Sequence, residues 1–229
     1  MTTHLHMLPP SVNNLAVRVF LRAADLPFAE ENAWGKTRTP EFITKIPSHL
    51  TPAIEHKEHP RGAMWESCAI MMYLCNKHQL EALYPTDPGR RALVDSANFY
   101  LTGTLYPLVA RSTYPRMGFP GYPGEVCTEE MASAELKASA RKASEAALSE
   151  PLEVFRTYFV RDGFIGDGAG PSIADIRLAA TLEFFAINDS PLPAWCKDYV
   201  ARVESKLGPA YSEPAADVRG FIASVKKPA

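Results

Sequence analysis

The sequence has few cysteines, and no two of them are close enough to form a CxxC pair. Cys68, Cys75, Cys127 and Cys196 are scattered over 229 residues, so neither a zinc site nor a dithiol redox centre is indicated, and no metal is expected. No apolar run reaches the roughly 20 residues that a membrane helix requires. The first ten residues also lack the basic start and long apolar stretch of a secretory signal. We therefore expect a cytoplasmic protein that contacts no membrane.

An excess of charge of either sign is also missing. The formal net charge is -2 at pH 7, which provides no general attraction to nucleic acid or to anionic lipid. A small solute is the better first expectation for a partner. The 229 residues, 46% of them apolar, are enough for one large domain or two modest ones.

The first 82 residues alternate between strand and helix signals. A strand ending at Pro9-Pro10 is followed by a helix whose apolar residues recur at helical spacing and which Leu26-Pro27 closes. A buried helix is expected to begin at Ser67, because the residues after it are apolar on nearly every side. The predicted order is β-α-β-α-β-β-α, with strands at residues 4–8, 28–33, 52–56 and 63–65 and a short helix at 40–46.

Residues 83–89 are rich in turn-forming residues, and everything beyond them reads as helix. One long helix is expected at 90–111, where Pro107 should kink it. Thr128 is expected to cap the next helix, and Pro151 to bend or interrupt it. Ser172 and Asp175 have the spacing of a capping box at the start of a central helix that runs to about residue 187. Asp175 is therefore expected to be structural.

Four segments carry a resemblance to a known family. They are LTPAIEH at residues 50–56, WESCAIMMYL at 65–74, ALYPTDPGRRALVD at 82–95 and GPSIADIRLAA at 170–180. In this order and spacing the chain resembles the cytosolic glutathione transferases, nearly end to end. The resemblance implies a two-domain α+β/α fold, with a thioredoxin-like glutathione-binding domain at 1–82, a linker at 83–89 and an all-helical second-substrate domain at 90–229. It also implies a homodimer.

The chain looks closest to the theta-like and nu-like classes, in which a serine or threonine follows the first strand. Ser11 occupies that position, and Asn13 is a second candidate contact to the glutathione sulfur. A hydroxyl at the start of a helix can donate a hydrogen bond to a thiolate and lower its pKa. The competing interpretation is that Ser11 or Asn13 only caps the helix.

Glu66 and Ser67 are the expected contacts to the γ-glutamyl part of glutathione. A serine at a helix N-terminus offers its hydroxyl, free amides and the positive end of the dipole to a carboxylate, and Glu66 can pair with the ammonium. Ser67 can also be explained as an N-cap beside a surface acid. A capping role leaves unexplained why Glu66 stands at the end of an apolar strand.

The resemblance also assigns Pro52 as the family's cis proline, which exposes the backbone of Thr51 for pairing with the cysteinyl part of glutathione. Many relatives place Lys or Gln two residues before this proline, where this chain has Leu50, with His49 one position earlier. His49, Lys36 or Trp34 are candidates for the glycyl carboxylate contact.

The second substrate, a small hydrophobic electrophile such as an epoxide or halide, is expected against Tyr106, Arg111, Tyr114 and Phe119. The aromatic loop around Tyr114 and Phe119 is equally explained as a cover that packs onto the helices. Two alternatives to a transferase remain: a glutathione-dependent disulfide reductase, which the Ser-x-Asn arrangement suggests, and a non-catalytic scaffold that has kept the fold.

Overall fold

The computed structural model describes residues 3–117 and 133–226. Its N-terminal half has the predicted β-α-β-α-β-β-α order. The strands are β1 (Thr3–Met7), β2 (Phe28–Asn32), β3 (Ala53–Glu55) and β4 (Ala63–Trp65), and the helices are α1 (Val12–Ala23), α2 (Pro40–Lys45) and α3 (Ser67–His78).

The four strands form one mixed sheet in the order β2-β1-β3-β4. β1 and β2 are parallel and are connected through the crossover helix α1. β3 is antiparallel to both of its neighbours. The strand directions make β4 run the same way as β1, so both end at the same edge of the sheet.

Side-chain alternation along β1 separates the two faces of this sheet. Leu5 and Met7 point into the main core with α1 and α3, whereas His6 points to the other face, where its ring meets Phe42 of α2. A small second core of Ala33, Phe42, Ile46, Ala53 and Ala63 lies on the α2 side.

In the described part of the C-terminal half, all regular secondary structure is helical. It comprises α4 (Pro88–Tyr100), α5 (Tyr106–Thr113), α6 (Ala134–Ala147), α7 (Ser149–Val154), α8 (Ile173–Glu183), α9 (Ala194–Leu207) and α10 (Pro209–Val225). The fold is a thioredoxin-like N-terminal domain followed by an all-helical C-terminal domain. In residues 3–117 and 133–226, no helix has both the length and the apolar character needed to cross a membrane.

Two predicted irregularities have clear physical causes. The helix expected at 90–111 begins at Pro88 and ends at Thr113, with a π-helical segment at Leu101–Leu105 just before Pro107, which has no amide hydrogen to donate. A break at Leu148 separates α6 from α7, three residues before Pro151. The predicted Thr128 cap lies outside the described residues, and the described part of α6 is capped by Ser133.

The main core is continuous across both halves, because α1 packs against the sheet on one side and against α8 and α10 on the other. Buried Arg18 of α1 joins the halves. Its guanidinium donates to Glu30 of β2 at 3.0 Å and to Asp217 of α10 at 2.9 Å. These charge-assisted hydrogen bonds offset the free-energy cost of removing the guanidinium from water.

Candidate functional site

Three of the predicted glutathione-contacting segments meet at one edge of the sheet. Ser11 follows the end of β1, and Glu66 follows the end of β4, which runs in the same direction. The Thr51-Pro52 segment precedes β3, whose antiparallel direction brings its beginning to the same edge. Strand topology therefore brings together residues that are far apart in the sequence.

Ser11 stands at the N-cap position of α1, but its side chain makes no capping hydrogen bond. Its backbone is extended, with φ -84° and ψ 128°, as an N-cap residue requires. The hydroxyl is half-buried and the first amides of the helix have no capping side chain. Both are therefore available to an anion, which the capping interpretation of Ser11 does not predict.

Four other helices use their N-cap side chains in the ordinary way, whereas α5, α7, α9 and α10 begin at residues that make no side-chain cap. In each of the four capped helices the side-chain oxygen accepts a hydrogen bond from an amide of the first turn; the residues are Thr39, Asp87, Ser133 and Ser172. The uncapped starts of α1 and α3, by contrast, both lie at the edge described above.

Glu66 has the backbone conformation φ 73° and ψ 111°, which is sparsely populated for a residue with a side chain. Its carboxylate is exposed, while Ser67 beside it is buried. The first helical bond of α3 runs from the amide of Ile70 to the carbonyl of Glu66, and no side chain caps the earlier amides. These amides and the helix dipole can bind a carboxylate.

The peptide bond between Thr51 and Pro52 is cis, as the resemblance implied. Asn14 contacts Thr51, because its amide nitrogen donates a hydrogen bond to Thr51 Oγ1 at 3.3 Å. Asn14 is fully buried in α1 and was not among the predicted site residues. The only signal for it was the second asparagine in Ser11-Val12-Asn13-Asn14.

The residues considered for the glycyl carboxylate lie in two segments, one that follows β2 and one that precedes β3. His49 is half-buried with φ 46°, and the Leu50 side chain is 51% exposed. Trp34 is exposed as well. Lys36 is committed to a hydrogen bond with Glu31 at 3.0 Å, which leaves less of its charge for a ligand.

Asn13 lies in a chain of hydrogen bonds that crosses between the two halves of the protein. Its amide nitrogen donates to the Tyr106 hydroxyl at 2.7 Å, and that hydroxyl is 2.6 Å from the hydroxyl of Tyr114. Its amide oxygen accepts a hydrogen bond from Arg177 of α8. Two residues predicted to contact the second substrate are thus connected to a residue predicted to contact the sulfur.

Arg177 is a functional candidate that sequence analysis missed. Its side chain is 2% exposed, and its polar contacts are with the neutral oxygens of Asn13 and Thr181. The guanidinium also lies over the Tyr106 ring, 5.1 Å from the ring centre, and its Nε makes no hydrogen bond in the described part of the chain. A buried positive charge with neutral partners favours anionic species nearby.

Of the other residues predicted to contact the second substrate, the structure describes Arg111 and Tyr114. Arg111 is half-buried on α5, one turn before Tyr114. Tyr114 also contacts the ring of Phe184 edge-on, with ring centres 6.5 Å apart. Phe119 lies outside the described residues. A cleft of about 540 Å³ between α8, α9 and α10 contains none of the predicted residues.

Two of the three described cysteines are buried and are not candidates for a nucleophile. Cys68, Cys75 and Cys196 are free thiols, and burial raises the pKa of Cys75 and of Cys196 to about 12. Such buried thiols stay protonated at neutral pH and are unreactive. Cys68 is half-buried beside Ser67, and its Sγ donates to Asn98 Oδ1 at 3.5 Å.

Asp175 is structural, as predicted. It completes the capping box with Ser172, and it also accepts hydrogen bonds from the Ile165 amide and from the Tyr199 hydroxyl. Burial raises the pKa of its carboxyl to about 6, although these donors act in the opposite direction.

No family model matches the sequence. The structure, however, is similar to solved glutathione transferases over nearly its whole length. A Bombyx mori glutathione transferase in complex with GTT is 24% identical with a TM-score of 0.75, covering 98% of both chains. The apo W234R mutant of human glutathione-S-transferase T1-1 is 22% identical with a TM-score of 0.78, covering 98% of this chain and 91% of that one.

A third solved structure, the epsilon-class glutathione S-transferase of the housefly Musca domestica, is 24% identical with a TM-score of 0.73, and the match covers 98% of this chain and 97% of that one. Similarity at these identities establishes the fold and leaves the class open. The chain therefore has the fold of the cytosolic glutathione transferases, shared with members of several classes.

Proposed function

We propose that the protein is a glutathione transferase that binds glutathione in residues 1–82 and covers a small hydrophobic electrophile with residues 90–229, joined by a linker at 83–89. The observation that carries this proposal is the pair of uncapped helix starts, at Ser11 and at Glu66-Ser67, on one edge of the sheet. The thiol of glutathione can bind at the helix start at Ser11, and its charged γ-glutamyl end can bind at the helix start at Glu66-Ser67.

At the first helix start, the Ser11 hydroxyl donates a hydrogen bond to the glutathione sulfur. A free thiol with a pKa near 8.5 is only about a few per cent ionised at neutral pH, and a donor at a helix N-terminus lowers that pKa. The thiol proton passes to water, and the thiolate attacks the electrophilic carbon to form the thioether bond. The electron pair of the broken bond leaves with the halide, or stays on the epoxide oxygen, which takes up a proton. Ser11 acts as a donor throughout and forms no covalent bond.

At the second helix start, the γ-glutamyl carboxylate accepts hydrogen bonds from the amide and hydroxyl of Ser67, and the carboxylate of Glu66 pairs with the ammonium. The backbone of Thr51 pairs with the cysteinyl part, with Pro52 shaping the turn and His49 and Leu50 beside it. Asn13 is a second contact to the sulfur. Tyr106, Tyr114, Arg111 and Phe119 face the electrophile.

The first experiment is a titration of bound glutathione followed by its ultraviolet thiolate absorbance, in the parent protein and in Ser11→Ala and Glu66→Gln. We expect the parent to lower the thiol pKa. Ser11→Ala should raise that pKa again and lower kcat/KM for conjugation about a hundredfold, the usual effect of removing one donor from a developing anion. Glu66→Gln should weaken glutathione binding and leave the thiol pKa of the bound fraction low.

The matched control is Ser133→Ala, which removes a serine that does cap its helix. This change should cost about 1 kcal/mol of stability and leave glutathione binding and the thiol pKa unchanged. Ser11→Ala, by contrast, should cost little stability because its hydroxyl makes no capping bond. A parent protein that does not bind glutathione would contradict the proposal and favour the scaffold alternative.

Glutathione-dependent disulfide reduction is a second candidate, favoured by the position of Asn13 two residues after Ser11 at the same helix start. Both reactions begin with the same thiolate, so the titration does not separate them. Product analysis does: a transferase forms a stable thioether with an epoxide or halide, whereas a reductase turns over a small disulfide and forms no such adduct.

We also propose that the protein is a homodimer. Phe99 on α4 supports this, because its side chain is 69% exposed although it is large and apolar. The resemblance places the N-terminal domain of one subunit against the helical domain of the other, which would cover this ring.

A further inference from the structure

β1 carries two histidines on the face of the sheet opposite α1. His4 and His6 are two residues apart, so their side chains point the same way, and their rings stack with centres 4.7 Å apart. Glu31 of β2 lies directly beside His6 in the parallel register and points to the same face. Neither histidine nor Glu31 belongs to the proposed glutathione site.

The three side chains bring their ligand atoms close together. Glu31 Oε2 is 3.2 Å from His4 Nε2 and 3.5 Å from His6 Nδ1, and the ligand atoms of the three residues all lie within 4.8 Å of one another. Ligands bound tetrahedrally to zinc at about 2.0–2.2 Å are separated by roughly 3.3–3.6 Å. Both distances from Glu31 Oε2 to a histidine nitrogen are therefore close to the ligand separation in a zinc site.

The hydrogen bond on the far side of His6 fixes which nitrogen is available. His6 Nε2 is 2.8 Å from Glu55 Oε1, and an ionised carboxylate can only accept, so Nε2 carries a proton. In the neutral ring, Nδ1 then holds a lone pair. His6 is 5% exposed, and its Nδ1 makes no hydrogen bond within residues 3–117 and 133–226.

A neutral His6 thus directs a buried lone pair at a carboxylate oxygen, and two electron-pair donors at this distance repel unless a cation lies between them. A histidine that donates its second ring nitrogen to a carboxylate is also the usual arrangement behind a metal ligand. Lys36 and Lys45 hold the two carboxylates in place, at 3.0 Å from Glu31 Oε1 and 3.2 Å from Glu55 Oε1.

We propose that His4, His6 and Glu31 bind a divalent transition-metal ion of the zinc type, with Glu55 orienting the His6 ring. Two imidazole nitrogens and one carboxylate oxygen suit Zn²⁺ and leave a fourth position for water. The site differs from the expectation of no metal, which rested on cysteine spacing. The competing occupant is a second proton on His6, which would make the cluster a set of ion pairs.

The test is calorimetric titration of the chelator-treated protein with Zn²⁺, in buffer without glutathione. We expect one Zn²⁺ per chain. His4→Ala and Glu31→Gln should each weaken binding by tenfold or more, and Glu55→Gln, which removes no direct ligand, should weaken it about 10- to 100-fold. The control His78→Ala removes an exposed histidine on α3 and should leave the affinity unchanged.

The absence of saturable Zn²⁺ binding in the parent would overturn the proposal, and so would equal affinities in the parent, His4→Ala and Glu31→Gln. Circular dichroism of each variant separates loss of the site from loss of folding. The His4 side chain is 43% exposed and Glu31→Gln keeps the side-chain shape, so at least these two variants should fold. No step of the test depends on the proposed transferase activity.

Discussion

Arg177 determines how Asn13 is oriented. A guanidinium has only donors, so the atom of Asn13 that faces Arg177 must be the oxygen, and the amide nitrogen must face Tyr106. One hydrogen of that nitrogen is used by Tyr106, which leaves the other for a ligand. Arg177 is thus a positioning residue that also places a positive charge behind the proposed sulfur site.

Removing this charge should raise the pKa of the thiol of bound glutathione. We expect Arg177→Met to raise the thiol pKa by roughly one to two units, the effect of a charge about 6–12 Å away at an effective dielectric constant near 20. The measurement is the thiolate absorbance of bound glutathione across pH. Thr181→Val is the control, because it removes a partner of Arg177 and keeps the charge. An equal shift in both variants would indicate a general loss of packing.

The coupling between Asn13 and Arg177 can be measured separately. A double-mutant cycle on kcat/KM with Asn13→Ala and Arg177→Met should give an interaction energy of about 0.5–3 kcal/mol, as is usual for residues in direct contact. Strictly additive effects would mean that Arg177 does not act through Asn13.

At the scale of the element, α8 begins with a buried carboxylate. Burial raises the pKa of Asp175 from 3.8 to about 6 in the folded state, so the folded protein binds more protons than the unfolded chain between these values. Stability from this group therefore increases as pH falls from 7 to 4.

The direction of this pH dependence can be tested by comparing the parent with Asp175→Asn, whose side chain does not titrate. In urea unfolding, the parent should gain about 2–3 kcal/mol relative to the variant between pH 7 and pH 4, since the charges elsewhere in the two proteins are the same. A constant difference across this range would show that the donors from Ile165, Ser172 and Tyr199 balance the effect of burial.

The elements that sequence analysis predicted well are those with local causes. β4 occupies the predicted residues 63–65, and the Ser172-Asp175 capping box forms as expected, because both depend on residues a few positions apart. The contacts that were missed are distant ones. Arg177 meets Asn13 across 164 positions, and Glu31 meets His6 only through the strand register, neither of which leaves a pattern in the sequence.

At the scale of the whole molecule, the assignment of a dimer can be tested at Phe99. We expect the parent to sediment as a dimer at micromolar concentration and Phe99→Asp to sediment as a monomer, because an aspartate in a buried interface loses water without gaining a partner. Leu136→Asp is the control, since this exposed leucine lies on α6. A monomeric parent, or a dimer that tolerates both changes, would contradict the assignment.

The packing of α1 against α8 and α10 has a consequence for synthesis on the ribosome. α1 is made early, but the helices that cover its outer side are made only after residue 173 and residue 209. At a synthesis rate of about 5–20 residues per second, roughly ten to forty seconds pass between the synthesis of α1 and that of α10. During that interval the nascent N-terminal domain presents an apolar helix face, so we expect chaperones that bind such faces to protect this chain until α10 has left the ribosome.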